Sequence, residues 1–250
     1  MTPVRPLPSA LPDKSNEKEK AMQFATKGRN NDLAAGVALL AAFALWTALI
    51  QCVDVQPVGQ NGTNVGFATF NVWFHGVTGV HMGIYTVTDW LGLVPIAVCL
   101  CFGVLGIMQL VRRRSLLRVD ADLLLLGAYY IVVILCYLVF EMVPINYRPI
   151  PIDGIMEASY PSSTTLLVLS VMPTLKFQVD RRAKGPAAKG AATAFVVAFS
   201  ALMVLGRLVA GVHWATDIVG AVLLATALFM AYRAAVALAD RKRADARMEV

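Results

Sequence analysis

The chain has 250 residues, 58% of them hydrophobic and only 15% charged, with a mean hydropathy of +0.64. A water-soluble domain could not keep that composition off its surface. The net charge of +6 and pI of 9.3 would suit a nucleic-acid partner only if the basic residues formed one contiguous patch. They are instead divided among four separated segments, which argues for a protein of the bilayer and against nucleic acid.

In chain order, residues 1–31 hold Pro, Lys, Glu and Ser without an apolar core. They read as a flexible cytoplasmic tail and not as a cleavable signal peptide. A span needs about 20 predominantly apolar residues, and six candidates follow, at 33–53, 90–111, 123–143, 162–176, 191–206 and 214–235, the fourth and fifth being short. The first is expected to act as an uncleaved signal anchor. The expected architecture is all-α: a six-helix polytopic membrane domain over 32–235, with a basic cytoplasmic tail over 236–250. Cys52, Cys99, Cys101 and Cys136 fall in or beside apolar segments without metal-site or disulfide spacing, and read as small buried hydrophobes.

Six Lys and Arg precede the first span, four lie in 112–118, five in 176–189 and five in the last segment, so 20 of the 22 fall on one side if six segments cross and both termini are cytoplasmic. The first outer loop, residues 54–89, has none. It is rich in aromatics and glycine, which suits a segment lying at the interface or packing as a lid. Arg148 and Arg207 are the two exceptions, each in or beside an outer loop, where topology gives no reason for a positive charge.

Arg148-Pro149 lies in the loop between the third and fourth spans, ahead of Tyr160-Pro161-Ser162-Ser163-Thr164-Thr165 at the start of the fourth. Small hydroxyl residues at a helix start cap it, and the free N–H groups with the helix dipole also make an anion site. Between the fifth and sixth spans the chain reads Arg207, five residues, His213, three residues, Asp217. On a helix His213 and Asp217 would share one face, with the carboxylate accepting the imidazole Nδ1–H and leaving Nε2 free as nucleophile or base. Two ligands are too few for a metal site. Three ionisable groups so close together at membrane depth point to function.

These residues make the sequence resemble the type 2 phosphatidic acid phosphatases, the PAP2 or lipid phosphate phosphatase superfamily. The superfamily pattern is Lys-x6-Arg-Pro, then Pro-Ser-Gly-His, then Ser-Arg-x5-His-x3-Asp. Arg148-Pro149 matches the first motif, Pro161-Ser162 the second and Arg207, His213 and Asp217 the third. The departures are Glu141 in place of the Lys, Ser163 and Thr164 in place of the Gly and His, and Gly206 in place of the leading Ser. The resemblance implies a PAP2-like helical bundle in which His213 attacks phosphorus, Asp217 orients it, and Arg148 and Arg207, with Ser162 and Ser163, hold the phosphoryl group. No metal or other cofactor is implied.

The missing His is the family's proton donor to the leaving group, so the donor is open. Thr164 can offer a hydrogen bond. Glu141 could be a carboxylic acid with a raised pKa or a salt-bridge partner of one arginine, and His75 and His81 are further candidates. The expected protein is an extracytoplasmically facing phosphatase of a lipid phosphate or diphosphate, undecaprenyl diphosphate being the sharpest form, in the bacterial inner membrane. The alternatives are a lipid phosphotransferase using the same phosphohistidine and an inactive relative that binds or transports phospholipid.

Overall fold

A computed structural model of the chain describes residues 14–248, with side chains over 26–246. The fold is all-helical. Its helices are α1 (Lys14–Cys52), α2 (Ala68–Thr78), α3 (Met82–Leu91), α4 (Leu93–Arg113), α5 (Ala121–Met142), α6 (Ser163–Arg182), α7 (Pro186–Val209) and α8 (Ala215–Met248). Pairing of β type among the described residues is confined to isolated bridges. Helix α1 begins at Lys14, so the part of the expected flexible tail that is described is helical, and α8 likewise continues through the expected basic tail to Met248. Residues 1–13 of the expected tail lie outside the described residues.

Among the described residues, five segments are long and apolar enough to cross a membrane: Thr26–Cys52, Met82–Arg113, Ala121–Met142, Pro186–Val209 and Ala215–Ala246. The second joins α3 to α4 and begins eight residues before the expected start at Trp90, so the outer end of that segment carries Tyr85 and Asp89. The expected span at 162–176 corresponds to α6, whose 20 residues would reach about 30 Å. Its polar composition keeps it outside the five, and its position explains that composition. Helix α6 contacts α4, α5, α7 and α8, and Thr165, Ser170, Thr174 and Gln178 on it are buried among protein neighbours instead of lipid. Hydroxyls on such a helix find partners inside the bundle, as Thr174 does with Tyr130 at 2.8 Å.

Helix α8 is flanked along its length by α1 and also meets α6 and α5. Phe43, Ile50, Tyr160, Leu166, Leu224 and Ala225 form one apolar cluster between them. Lipid-facing positions elsewhere are large and apolar, including Leu45, Leu100, Ile107, Ile131, Val197 and Leu205. One end of the bundle is tied by ions: Asp122, at the start of α5, pairs with Arg182 at 2.9 Å and Arg181 at 3.2 Å, and Arg181 with Asp240 at 2.8 Å. The opposite end carries α2, α3 and the loops 143–162 and 210–214, which build the site.

Candidate active site

The short loop 210–214 is held by its neighbours before any chemistry is considered. Gly211 has φ of +71°, and a Cβ there would stand 2.1 Å from the Gly79 carbonyl oxygen, so only glycine fits this close approach. The backbone N–H of His81 donates to the Ala210 carbonyl at 3.0 Å, and His75 Nε2 to the Gly211 carbonyl at 3.0 Å. Trp214 Nε1 donates to the Tyr147 carbonyl at 2.9 Å. The second loop is folded back by a bridge between Tyr147 and Ala158. Donation from Ser159 N–H to the Asn146 carbonyl at 2.9 Å completes that return.

His213 lies in this loop, ahead of α8, and is buried. Its Nδ1 donates to the Ser159 carbonyl at 3.2 Å. The Asp217 Oδ2 is 3.9 Å from Nδ1, beyond hydrogen-bond reach. The expected carboxylate–imidazole bond is therefore replaced by a carbonyl–imidazole bond, because the helix begins at Ala215 and His213 does not share its periodicity. Asp217 instead accepts the Trp214 backbone N–H at 2.9 Å and the Asn146 side-chain N–H at 3.1 Å. It sits three residues after the residue that precedes the helix, the position from which an acidic side chain reaches back to cap it.

The bond to Ser159 fixes the proton on Nδ1 and leaves the Nε2 lone pair available. Nε2 is buried without a hydrogen-bond partner. Burial first, and then the positive charges of Arg148 and Arg207, hold the imidazolium pKa well below the usual histidine range, against which the Ser159 bond is a smaller opposing influence. The imidazole is thus neutral at physiological pH.

Both arginines converge beside it. Arg207 is 1% exposed and Arg148 8%, and their guanidinium carbons lie 4.9 and 5.9 Å from the ring centroid of Tyr85. Arg207 Nη2 donates to Asp89 Oδ1 at 2.8 Å and also to Thr164 Oγ1. Arg148 Nε is 2.9 Å from Glu157 Oε2. Beyond these pairs, Arg148 Nη1 and Arg207 Nε and Nη1 are buried without a hydrogen-bond acceptor. Buried N–H groups are rarely left in this condition, and cationic ones carry a larger penalty. Two guanidinium groups with spare buried N–H donors beside a neutral imidazole form a pocket suited to a multiply charged oxyanion.

Ser162 precedes α6 and donates its hydroxyl to Thr165 Oγ1 at 3.1 Å, so its side chain leaves the first backbone N–H groups of α6 uncapped. Ser163 lines a polar cavity of about 130 Å³ together with Glu141, Arg148, Glu157 and Ser159. Glu141 is exposed at the end of α5 and makes no ion pair among the described residues. The arginine salt bridges considered for it belong to Glu157 and Asp89. His75 serves the 210–214 loop, and His81 Nε2 is bonded to the Thr78 carbonyl at 2.8 Å. A larger cavity of about 460 Å³ lies at the opposite end, where Arg181 and Arg233 are already paired with Asp240 and Asp32.

Sequence reasoning missed Asp89 and Tyr85. Both fall within the expected first outer loop, although an acidic residue near the end of an apolar segment starting at Met82 was the available signal. Asn146 and Ser159, which hold Asp217 and His213, carried no signal.

Long apolar helices gathered around a buried, strongly basic polar site at one end define a polytopic integral membrane protein. The family model of the PAP2 superfamily matches residues 122–240 of the chain. The fold is similar to the crystal structure of the first transmembrane PAP2 type phosphatidylglycerolphosphate phosphatase from Bacillus subtilis. The TM-score is 0.59 and the identity 16%, with 79% of this chain and 93% of that chain covered. Comparison with curated protein sequences finds no match.

Proposed function

We propose that this protein is a membrane phosphatase that removes the terminal phosphate of a lipid diphosphate through a phosphohistidine at His213. The observation that carries this reading is the unpartnered Nε2 of a neutral, buried His213 beside two arginines with free N–H groups. Phosphoryl transfer asks mainly for positioning and charge stabilisation, and this site supplies both. Arg148 and Arg207 hold the equatorial oxygens, the N-terminus of α6 at Ser162, Ser163 and Thr164 adds backbone donors, and Nε2 attacks phosphorus. Asp217 acts through the backbone that carries His213.

The choice of diphosphate follows from Thr164, which stands where the superfamily pattern has its proton-donating His and offers only a hydroxyl. An alkoxide leaving group would forfeit about 10²–10⁴-fold in rate without an acid, whereas a lipid monophosphate departs without needing a proton. A polyprenyl diphosphate, with undecaprenyl diphosphate as the specific form, meets this requirement and belongs to the bacterial inner membrane. In this reading α6 is the sixth crossing helix, the basic ends of the chain and of loops 114–120 and 183–185 are cytoplasmic, and the site opens outward.

The test is phosphate release by purified protein from a polyprenyl diphosphate and from a lipid monophosphate. Faster release from the diphosphate, abolished in His213→Ala, is expected. Faster release from the monophosphate contradicts the substrate assignment, and release unaffected by His213→Ala contradicts the mechanism.

A further inference from the structure

We infer that Asp89 is the base that activates water for hydrolysis of the phosphohistidine, in place of the missing motif histidine. The inference rests on the phosphatase reading above and adds to it a residue outside the matched region, on α3. Three observations converge on it.

The first is position. Asp89 Oδ1 and Thr164 Oγ1 both accept from one nitrogen, Nη2 of Arg207, with Asp89 at 2.8 Å. The carboxylate therefore stands next to the residue that replaces the histidine, within reach of a group held by Arg207. The second is how it arrives there. A Cβ on Gly206 would lie 2.7 Å from Thr88 Cγ2 and 3.8 Å from Ile84 Cγ2. A serine there would push against α3, so glycine at 206 lets α3 pack on α7 and brings Asp89, the neighbour of Thr88, onto Arg207. Of the two departures from the superfamily pattern, Thr164 shares Arg207 Nη2 with the Asp89 carboxylate, and Gly206 packs against its neighbour Thr88. The third is access. The Asp89 side chain is 60% exposed, whereas that of Arg207 is 2% exposed. A proton taken up at Asp89 has a direct path to solvent.

In the first step the Nε2 lone pair of His213 forms the P–N bond, and the P–O bond to the lipid monophosphate breaks with its electron pair remaining on that oxygen. Nδ1 keeps its proton, shared with the Ser159 carbonyl. In the second step a water oxygen bonds to phosphorus, the P–N electron pair returns to Nε2, and the water proton passes to the Asp89 carboxylate and then to solvent. Inorganic phosphate leaves, and the site is restored. Arg207 thus orients both the phosphoryl group and the base.

The experiment follows a polyprenyl diphosphate labelled in its terminal phosphate, with an alkaline quench that preserves phosphohistidine. Asp89→Asn should slow turnover by about 10²-fold while raising the steady-state fraction of phosphoenzyme, and Asp89→Glu should recover part of the turnover. Gly206→Ser should show the same accumulation, by displacing α3. A slower Asp89→Asn enzyme without phosphoenzyme accumulation would make Asp89 only an ion-pair partner of Arg207 and overturn the inference, as would unchanged turnover; in both cases the phosphatase reading survives. Wild-type protein that neither releases phosphate nor forms phosphoenzyme overturns both.

Discussion

Asp217 follows His213 by four residues, yet it holds the backbone N–H of Trp214 at 2.9 Å and leaves the imidazole 3.9 Å away. The Ser159 carbonyl, not the carboxylate, selects the tautomer. A carboxylate bonded directly to a catalytic imidazole is worth about 10⁴-fold in kcat. Here Asp217→Asn weakens hydrogen bonds to Trp214 or Asn146, an effect of about 1–3 kcal/mol, which corresponds to about 5–150-fold in rate. Steady-state kinetics of Asp217→Asn should fall in that lower range, with a drop in thermal stability. A loss of 10⁴-fold with unchanged stability would assign Asp217 the direct role.

The depressed pKa of His213 has two consequences for pH. The nucleophile stays neutral in moderate acid, so the acid limb of kcat/KM set by this group should lie below 6.5, the ordinary histidine value. Because the unfolded chain binds this proton more readily than the folded one, stability is retained above 6.5 and is lost as pH falls below it toward the folded-state value. His213→Gln should remove that part of the acid destabilisation. Thermal melts of both proteins over the acidic range provide the check, and parallel curves would contradict the assignment.

The proposed sidedness is tested by labelling single cysteines in a variant lacking Cys52, Cys99, Cys101 and Cys136. Asn64 and Lys184 are both exposed and lie in loops at opposite ends of the bundle. In intact cells a membrane-impermeant maleimide should label Asn64→Cys directly and Lys184→Cys only after permeabilisation. The reverse pattern would place the site on the cytoplasmic face, and labelling of both from outside would remove α6 as a crossing helix.

What could be read from the sequence followed the strength of the local physics. Apolar runs disclosed the long helices, and the positions of Arg148 and Arg207 stood out because charge topology gave no reason for them. Helices α2 and α3 are hidden in an apparent loop because they are short, and because the apolar run that includes α3 begins at Met82, ahead of the expected start at Trp90. That boundary also concealed Asp89. The spacing of His213 and Asp217 suggested a shared helical face, but helix α8 starts at Ala215, between them. The contacts from Ser159, Asn146 and Tyr85 depend on tertiary packing over distances in sequence that no local pattern encodes.

The proposed reaction turns on a phosphoryl group carried on Nε2 of His213. Incubating purified protein with labelled polyprenyl diphosphate, quenching in alkali and locating the label by mass spectrometry tests it most directly. An acid-labile phosphate is expected on the peptide containing His213 and not in His213→Ala. Phosphate release from wild type with no phosphorylated His213 in the alkali-quenched protein would contradict it.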